Sequence, residues 1–247
     1  MLTIELILFV CATFLLGGIV KGAVGLGLPV VAIALLAPVL GLKSAMAIMV
    51  IPCFITNIWQ GLSGGNFINI IRRIWPLLLT SFFGIWFGVY FLAVSNTYWL
   101  TAFFGLMLSI YSAFSLARPQ IPPPGKWEAW TTPMAGGISG FTFGLTGSYM
   151  VPGVLYIQAL GLNRDMLVQT LGIIFILITG TLGLSLTSNN LMPAHLGYLS
   201  AIALAPTAAG IMLGLKLRRR ISEEQFRRIF FWALLLIGIY MMIRALI

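Results

Sequence analysis

The chain is a succession of long apolar runs bounded by turn residues and charges. The runs cover about residues 3–21, 28–41, 44–60, 74–94 and 98–117, and then 131–146, 149–161, 166–186, 197–216 and 229–246. A helix needs about 20 apolar residues to cross the hydrocarbon core of a bilayer, so several runs predict full spans. Runs 28–41 and 149–161 are short and flanked by glycine, which predicts tilted, half-spanning or re-entrant helices. The pattern therefore predicts an all-α polytopic membrane protein with about 8–10 membrane segments.

One polar stretch interrupts the series near its midpoint. Arg118-Pro119-Gln120-Ile121-Pro122-Pro123-Pro124-Gly125-Lys126 cannot be helical, because consecutive prolines remove backbone donors and clash with preceding carbonyls. It divides the chain into a first transmembrane repeat (1–117), a proline-rich connector (118–130) and a second repeat (131–247), each repeat holding five apolar runs. The two sides resemble each other. GGIVKGAVGLGLP at 17–29, followed by Gly41-Leu42-Lys43, faces GGISGFTFGLTGSYMVP at 136–152, followed by Gly161-Leu162-Asn163. Matching identities pairs Gly18 and Gly25 with Gly137 and Gly144.

Composition agrees with lipid as the solvent. Hydrophobic residues make up 60% of the chain, charged residues 8%, and the mean hydropathy is +1.05, whereas soluble chains carry roughly 25% charged residues. The net charge of +9 comes mainly from bases in short loops between apolar runs. That placement, without zinc-finger spacing or an aromatic-basic platform, orients helices and does not bind nucleic acid. Arg72 and Arg73, Arg118 and Lys126, and then Lys216, Arg218, Arg219, Arg220, Arg227 and Arg228 occupy three loops that alternate with two loops lacking Lys and Arg. The positive-inside rule puts these basic loops in the cytoplasm and the N-terminus outside. The two halves then point in opposite directions through the membrane. Inverted repeats of this kind suit alternating access, whether each short segment crosses fully or pairs with its predecessor as a re-entrant unit.

The N-terminal run has Glu5 and no basic region ahead of it, and no small-residue cleavage site follows, so it reads as a retained first helix. Ser222 and Gln225 have capping-box spacing at the start of the last helix. Cys11 and Cys53 lie in apolar runs without metal-ligand neighbours, His195 is the only histidine, and no Walker sequence is present. No metal site, cofactor or enzyme active site is expected.

The chemistry concentrates at two glycine-rich breaks. Gly18, Gly22, Gly25 and Gly27 precede Pro29, and Gly137, Gly140, Gly144 and Gly147 precede Pro152. Two interrupted helices in corresponding positions point to a substrate site, because a restarted helix offers unpaired amides and its positive dipole end to an anion. The same glycines also serve close helix packing. Lys21 stands beside the first break, where it either attracts a substrate or snorkels to an interface. Thr142, Thr146, Ser148 and Tyr149 bring hydroxyls to the second break. Gln169 and Thr170 follow it toward a central cavity, and Asn57, with Thr56 and Gln60, ends the third run. The site set is thus Lys21, Gly22, Gly25, Gly27, Pro29, Asn57, Thr142, Gly144, Thr146, Gly147, Pro152, Gln169 and Thr170.

GGIVKGAVGLGLP at 17–29, GLTGSYMVPGVLYIQALGL at 144–162 and the division into two related halves resemble the TauE/SafE family of sulfite exporter-like permeases. The resemblance spans essentially the whole chain. It implies a multi-pass transporter of the prokaryotic inner membrane that moves sulfite or another small sulfur-containing or organic anion, such as a sulfonate. It also implies seven or eight helices, which ten apolar runs meet only if some are re-entrant or half-length. Export by alternating access, with the oxyanion held by Lys21, helix-end amides and Thr146, is the expected mechanism. An anion channel and a non-transporting membrane scaffold are the alternatives. Membrane lipid is an expected partner, and a homo-oligomer is left open.

Overall fold

The computed structural model describes residues 3–117, 121–218 and 223–246. Arg118, Arg219, Arg220 and the Ser222 end of the expected capping box lie outside the described residues. The described chain is helical and has no strand. Its α-helices are α1 (Ile4–Val24), α2 (Leu28–Leu40), α3 (Leu42–Leu62), α4 (Phe67–Val94), α5 (Thr97–Ala117), α6 (Glu128–Thr146), α7 (Leu155–Ala159), α8 (Arg164–Ser188), α9 (Ala194–Ile202), α10 (Leu204–Leu217) and α11 (Glu223–Leu246). A wider turn of helix, Met150–Val154, leads into α7. Seven stretches are long and apolar enough to cross a membrane: α1, α3, α4, α5, α8, the joined α9 and α10, and α11. Leu28–Leu40 and Met150–Ala159 are apolar but shorter, as their run lengths predict. α6 is not among the seven, and its four threonines and one serine dilute its apolar character. The chain is a multi-pass membrane protein.

A shift of 122 residues carries α1 onto α6, α2 onto Met150–Ala159, α3 onto α8, α4 onto α9 and α10, and α5 onto α11. The packing obeys the same shift. Four helix pairs dominate, α4 with α6, α1 with α10, α5 with α11 and α3 with α8, and each joins one element before the connector to one after it. Gly61 lies against Gly172, and Gly183 lies against Val50; the shift converts the first contact into the second. Within this pair the numbering runs in opposite directions, Phe54 meeting Gly180 between those two contacts. α5 and α11 are likewise antiparallel, with Gly105 against Gly238 and the rings of Tyr111 and Phe231 5.5 Å apart. Corresponding helices therefore run oppositely, which is the inverted relation expected from loop charge.

The ends of the short segments are also settled. Arg73 at the start of α4 makes two parallel hydrogen bonds to Glu128, of 2.7 and 2.9 Å, and a longer one to the Leu160 carbonyl. The start of α6 and the end of α7 thus lie beside the same arginine. α6 and α7 form a hairpin that returns to the face it left, and the shift gives α1 and α2 the same form from the opposite face. This reconciles ten apolar runs with seven long spans. Arg73, Glu128, Lys126, Lys216, Arg227 and Arg228 mark one side, called here the basic face.

Helix-to-helix approach is set by glycine. Gly18 and Gly22 of α1 face Gly210 and Gly214 of α10, and Gly140 and Gly144 of α6 face Ser81, Ile85 and Gly88 of α4. A Cβ at any of these four would meet backbone of the partner helix. Where lipid tails are as apolar as leucine, such close backbone contact is what holds helices together.

Candidate functional site

Each hairpin turns at a glycine in the left-handed region. Gly25 (φ 91°) ends α1 and Gly147 (φ 72°) ends α6, their amides bonding back to the Lys21 and Phe143 carbonyls at 2.7 Å each. These caps correspond under the 122-residue shift, so the identity match of Gly25 with Gly144 is off by one helical turn. Aligned by the caps, Gly18 and Gly22 fall on Gly140 and Gly144 and share their packing role, while Lys21 falls on Phe143 and Asn57 on Thr179.

The first break is polar and charged. Lys21, in the last turn of α1, is 8% exposed, and Asn57 of α3 is 3% exposed. The Lys21 ammonium donates to the Thr56 hydroxyl at 3.0 Å and to the Asn57 side-chain oxygen. Thr56 is free to accept because its own proton goes to the Pro52 carbonyl at 2.6 Å. Two of the three ammonium donors are thereby used, both on neutral groups. The ion pair of Arg73 with Glu128 lies elsewhere. Opposite Lys21, α2 starts at Gly27 (φ 109°) with no side-chain cap. Its first helical bond is Val31 to the Gly27 carbonyl, so the amides of Leu28 and Val30 have no intrahelical acceptor. Pro29 between them has no donor to lose. Lys21, Gly25, Gly27, Pro29, Asn57, Gln60 and Phe175 surround a cavity of about 10 Å³, room for one water.

The electrostatics of this break are unbalanced. Removing an ion from water costs several kcal/mol. Hydrogen bonds from a charged donor return about 1.5–3 kcal/mol each, and the negative end of α1 favours a cation by about 0.3–1 kcal/mol. A carboxylate partner is missing among the described residues, while the positive end of α2 faces the same space. An anion there would meet the ammonium and the uncapped start of α2 at Leu28.

The second break is aromatic. Phe143 and Tyr149 have ring centroids 6.1 Å apart, and Tyr149 and Phe175 6.2 Å apart, so the stack runs from the second break to the wall of the Lys21 cavity. The Tyr149 hydroxyl bonds Ser81 at 2.8 Å, and the Ser81 hydroxyl donates to the Gly136 carbonyl. Thr142 and Thr146 donate to carbonyls of their own helix, at 3.0 and 2.7 Å. The Thr146 oxygen also accepts from the Ser148 amide.

The expected site residues thus divide. Lys21, Gly25, Gly27, Pro29 and Asn57 share one cavity. Gly22 and Gly144 face partner helices, and Gly147 lies against Ile33, Met46 and Met49. Pro152 follows a cis bond within the second break. Gln169 bridges the Gly61 carbonyl and the Asn66 amide, tying the end of α3 to α8. Thr170 is buried with no hydrogen-bond partner for its hydroxyl among the described residues. Thr56 and Gln60 join the site although the sequence reading kept only Asn57. Their spacing along one helix was the available signal; Phe175, an apolar residue in a long apolar run, offered none. Lys43 donates to the Ala93 carbonyl near the end of α4.

Among the described residues no group of His, Cys, Asp and Glu could hold a metal ion. No curated protein and no solved structure matches the chain. A family model described as sulfite exporter TauE/SafE matches residues 10–241. With that match covering nearly all of 247 residues, the chain belongs to the TauE/SafE family of membrane transporters.

Proposed function

We infer that the chain exports a small sulfur oxyanion, sulfite or a sulfonate, across the prokaryotic inner membrane by alternating access. The observation that carries this reading is a buried Lys21 with no carboxylate partner among the described residues, facing the uncapped start of α2. The transported anion supplies the missing negative charge, and its departure leaves an ammonium that neutral Thr56 and Asn57 can still hold. A cavity with room for one water corresponds to a state closed around the site. The dominant helix pairs join residues 1–117 to residues 131–247, so the parts that move are bodies built from both repeats and not the two repeats themselves. The inverted relation of the repeats lets each hairpin open toward one face in turn. With the basic loops cytoplasmic and the N-terminus outside, export follows the negative interior potential. Carboxylate-driven proton coupling has little to draw on: Glu128 is paired with Arg73, and Glu5, Asp165 and Glu224 are exposed.

Purified protein in liposomes is expected to move radiolabelled sulfite or a small sulfonate with saturation, and Lys21→Met to abolish that flux without loss of folded protein. Equal flux in protein-free vesicles across a panel of sulfite, sulfonates and carboxylates would remove the reading. Unsaturable flux with unitary current steps would replace it with a channel.

A further inference from the structure

A second cavity, about 380 Å³, opens on the basic face and reaches the first break from behind. Its wall includes Arg164 at the start of α8, Arg227 near the start of α11, and Gln158 in α7. It also includes Tyr111 and Ser115 of α5. At its inner end are Gly25 and Leu26, both half-buried, and these two residues also line the Lys21 cavity. These two residues therefore border both spaces. The cavity on the opposite face, about 410 Å³ and bordered by Arg244, shares no residue with the Lys21 site. Arg244 there bonds the Pro38 carbonyl.

Among the described residues, the charge that lines the basic-face cavity has one sign, with two arginines and no carboxylate. The nearest acids in sequence, Asp165 and Glu224, are exposed and do not line it, and Glu224 borders a neighbouring groove with Arg227 and Arg228. Low-dielectric walls lined with one sign of charge concentrate counter-ions by about 10-fold or more.

We propose that Arg164 and Arg227 form an anion-collecting vestibule on the basic face, and that Leu26 is the gate between it and the Lys21 cavity. The ligand is a small oxyanion, drawn to guanidinium forks with Gln158 as a neutral donor, before it passes Gly25 and Leu26 to Lys21. The left-handed glycines on both sides of Leu26 let that residue swing without moving either helix axis. The proposal rests on the reading of Lys21 as the anion site, but its test does not.

In a background with Cys11→Ser and Cys53→Ala, Leu26→Cys is labelled from the basic face with methanethiosulfonates carrying either a sulfonate or a trimethylammonium group. Each rate is normalised to that on a free thiol in solution. The anionic reagent is expected to be favoured about 10-fold, and Arg164→Gln with Arg227→Gln to bring the normalised ratio close to 1. Leu167→Cys, on the same wall, serves if Leu26→Cys does not fold. Added methanesulfonate, an oxyanion that does not react with thiosulfonates, should protect the thiol in phosphatidylcholine bilayers. A ratio near 1 with both arginines present, or one unchanged by their removal, overturns the vestibule. So does protection that requires phosphatidylglycerol, which would make the arginines a lipid headgroup site. Anionic preference and methanesulfonate protection in a protein that moves neither sulfite nor a sulfonate would retain the vestibule while removing the proposed export.

Discussion

The two hairpin turns of this protein share a backbone and differ in chemistry. Gly25 and Gly147 end their helices with the same left-handed cap, and each is followed by a shorter returning segment. The first turn holds an ammonium, a hydroxyl and a carboxamide; the second, at corresponding positions, holds Phe143, Ile178 and Thr179. Thr179 spends its hydroxyl on the Phe175 carbonyl of its own helix. Inverted repeats supply the symmetry that exchanges the faces of a transporter, but one anion needs only one cation. A second lysine would add a like charge within the same core. Aromatic packing at the second turn instead fills the volume and reaches, through Phe175, the wall of the first.

This asymmetry can be broken most severely at Lys21. Lys21→Met removes the charge while keeping the chain length, and a truncated buried charge contact costs about 2–5 kcal/mol. Sulfite flux in proteoliposomes should fall about 100-fold or more, and Thr146→Val should leave it within about 2-fold because Thr146 bonds its own helix. A large loss at Thr146 instead would move the site to the second break.

The symmetric part of the comparison is tested by packing. Gly22→Val and Gly144→Val each place a Cβ against partner backbone, and overpacking costs about 1–3 kcal/mol. Unfolding in mixed micelles should show similar losses for both. A large loss for one alone would show that the two helix pairs are not equivalent.

At the next level, Asn57→Leu removes one of the two ammonium acceptors, leaving a buried donor unmet at about 1–3 kcal/mol. Flux should fall about 10-fold, while Thr179→Val at the corresponding position changes it less than about 2-fold, measured in the same vesicles. The smallest effect belongs to the face of the protein: Arg73→Ala breaks an ion pair whose side chains are 41% and 31% exposed. Stability should change by about 1 kcal/mol or less and shrink further in high salt, as read from melting temperature in detergent.

The hydrophobic pattern alone determined the solvent, the helical class, the existence of all ten apolar segments and the oddity of runs 28–41 and 149–161. It did so because a bilayer imposes length and polarity on every segment separately, so each run can be read without knowing its neighbours. Loop charge likewise gave the opposite sense of the two halves, which the antiparallel α3 and α8 share. What no linear reading supplied was which glycines turn the chain and which hold helices together. Gly22 and Gly25 look alike in sequence, yet one meets α10 and the other takes a φ of 91°. Nor could it join Lys21 to Thr56 and Asn57, 35 and 36 residues away, or place Phe175 and Leu26 beside them. A binding site is a set of distances between elements, and those distances are decided only when the helices pack.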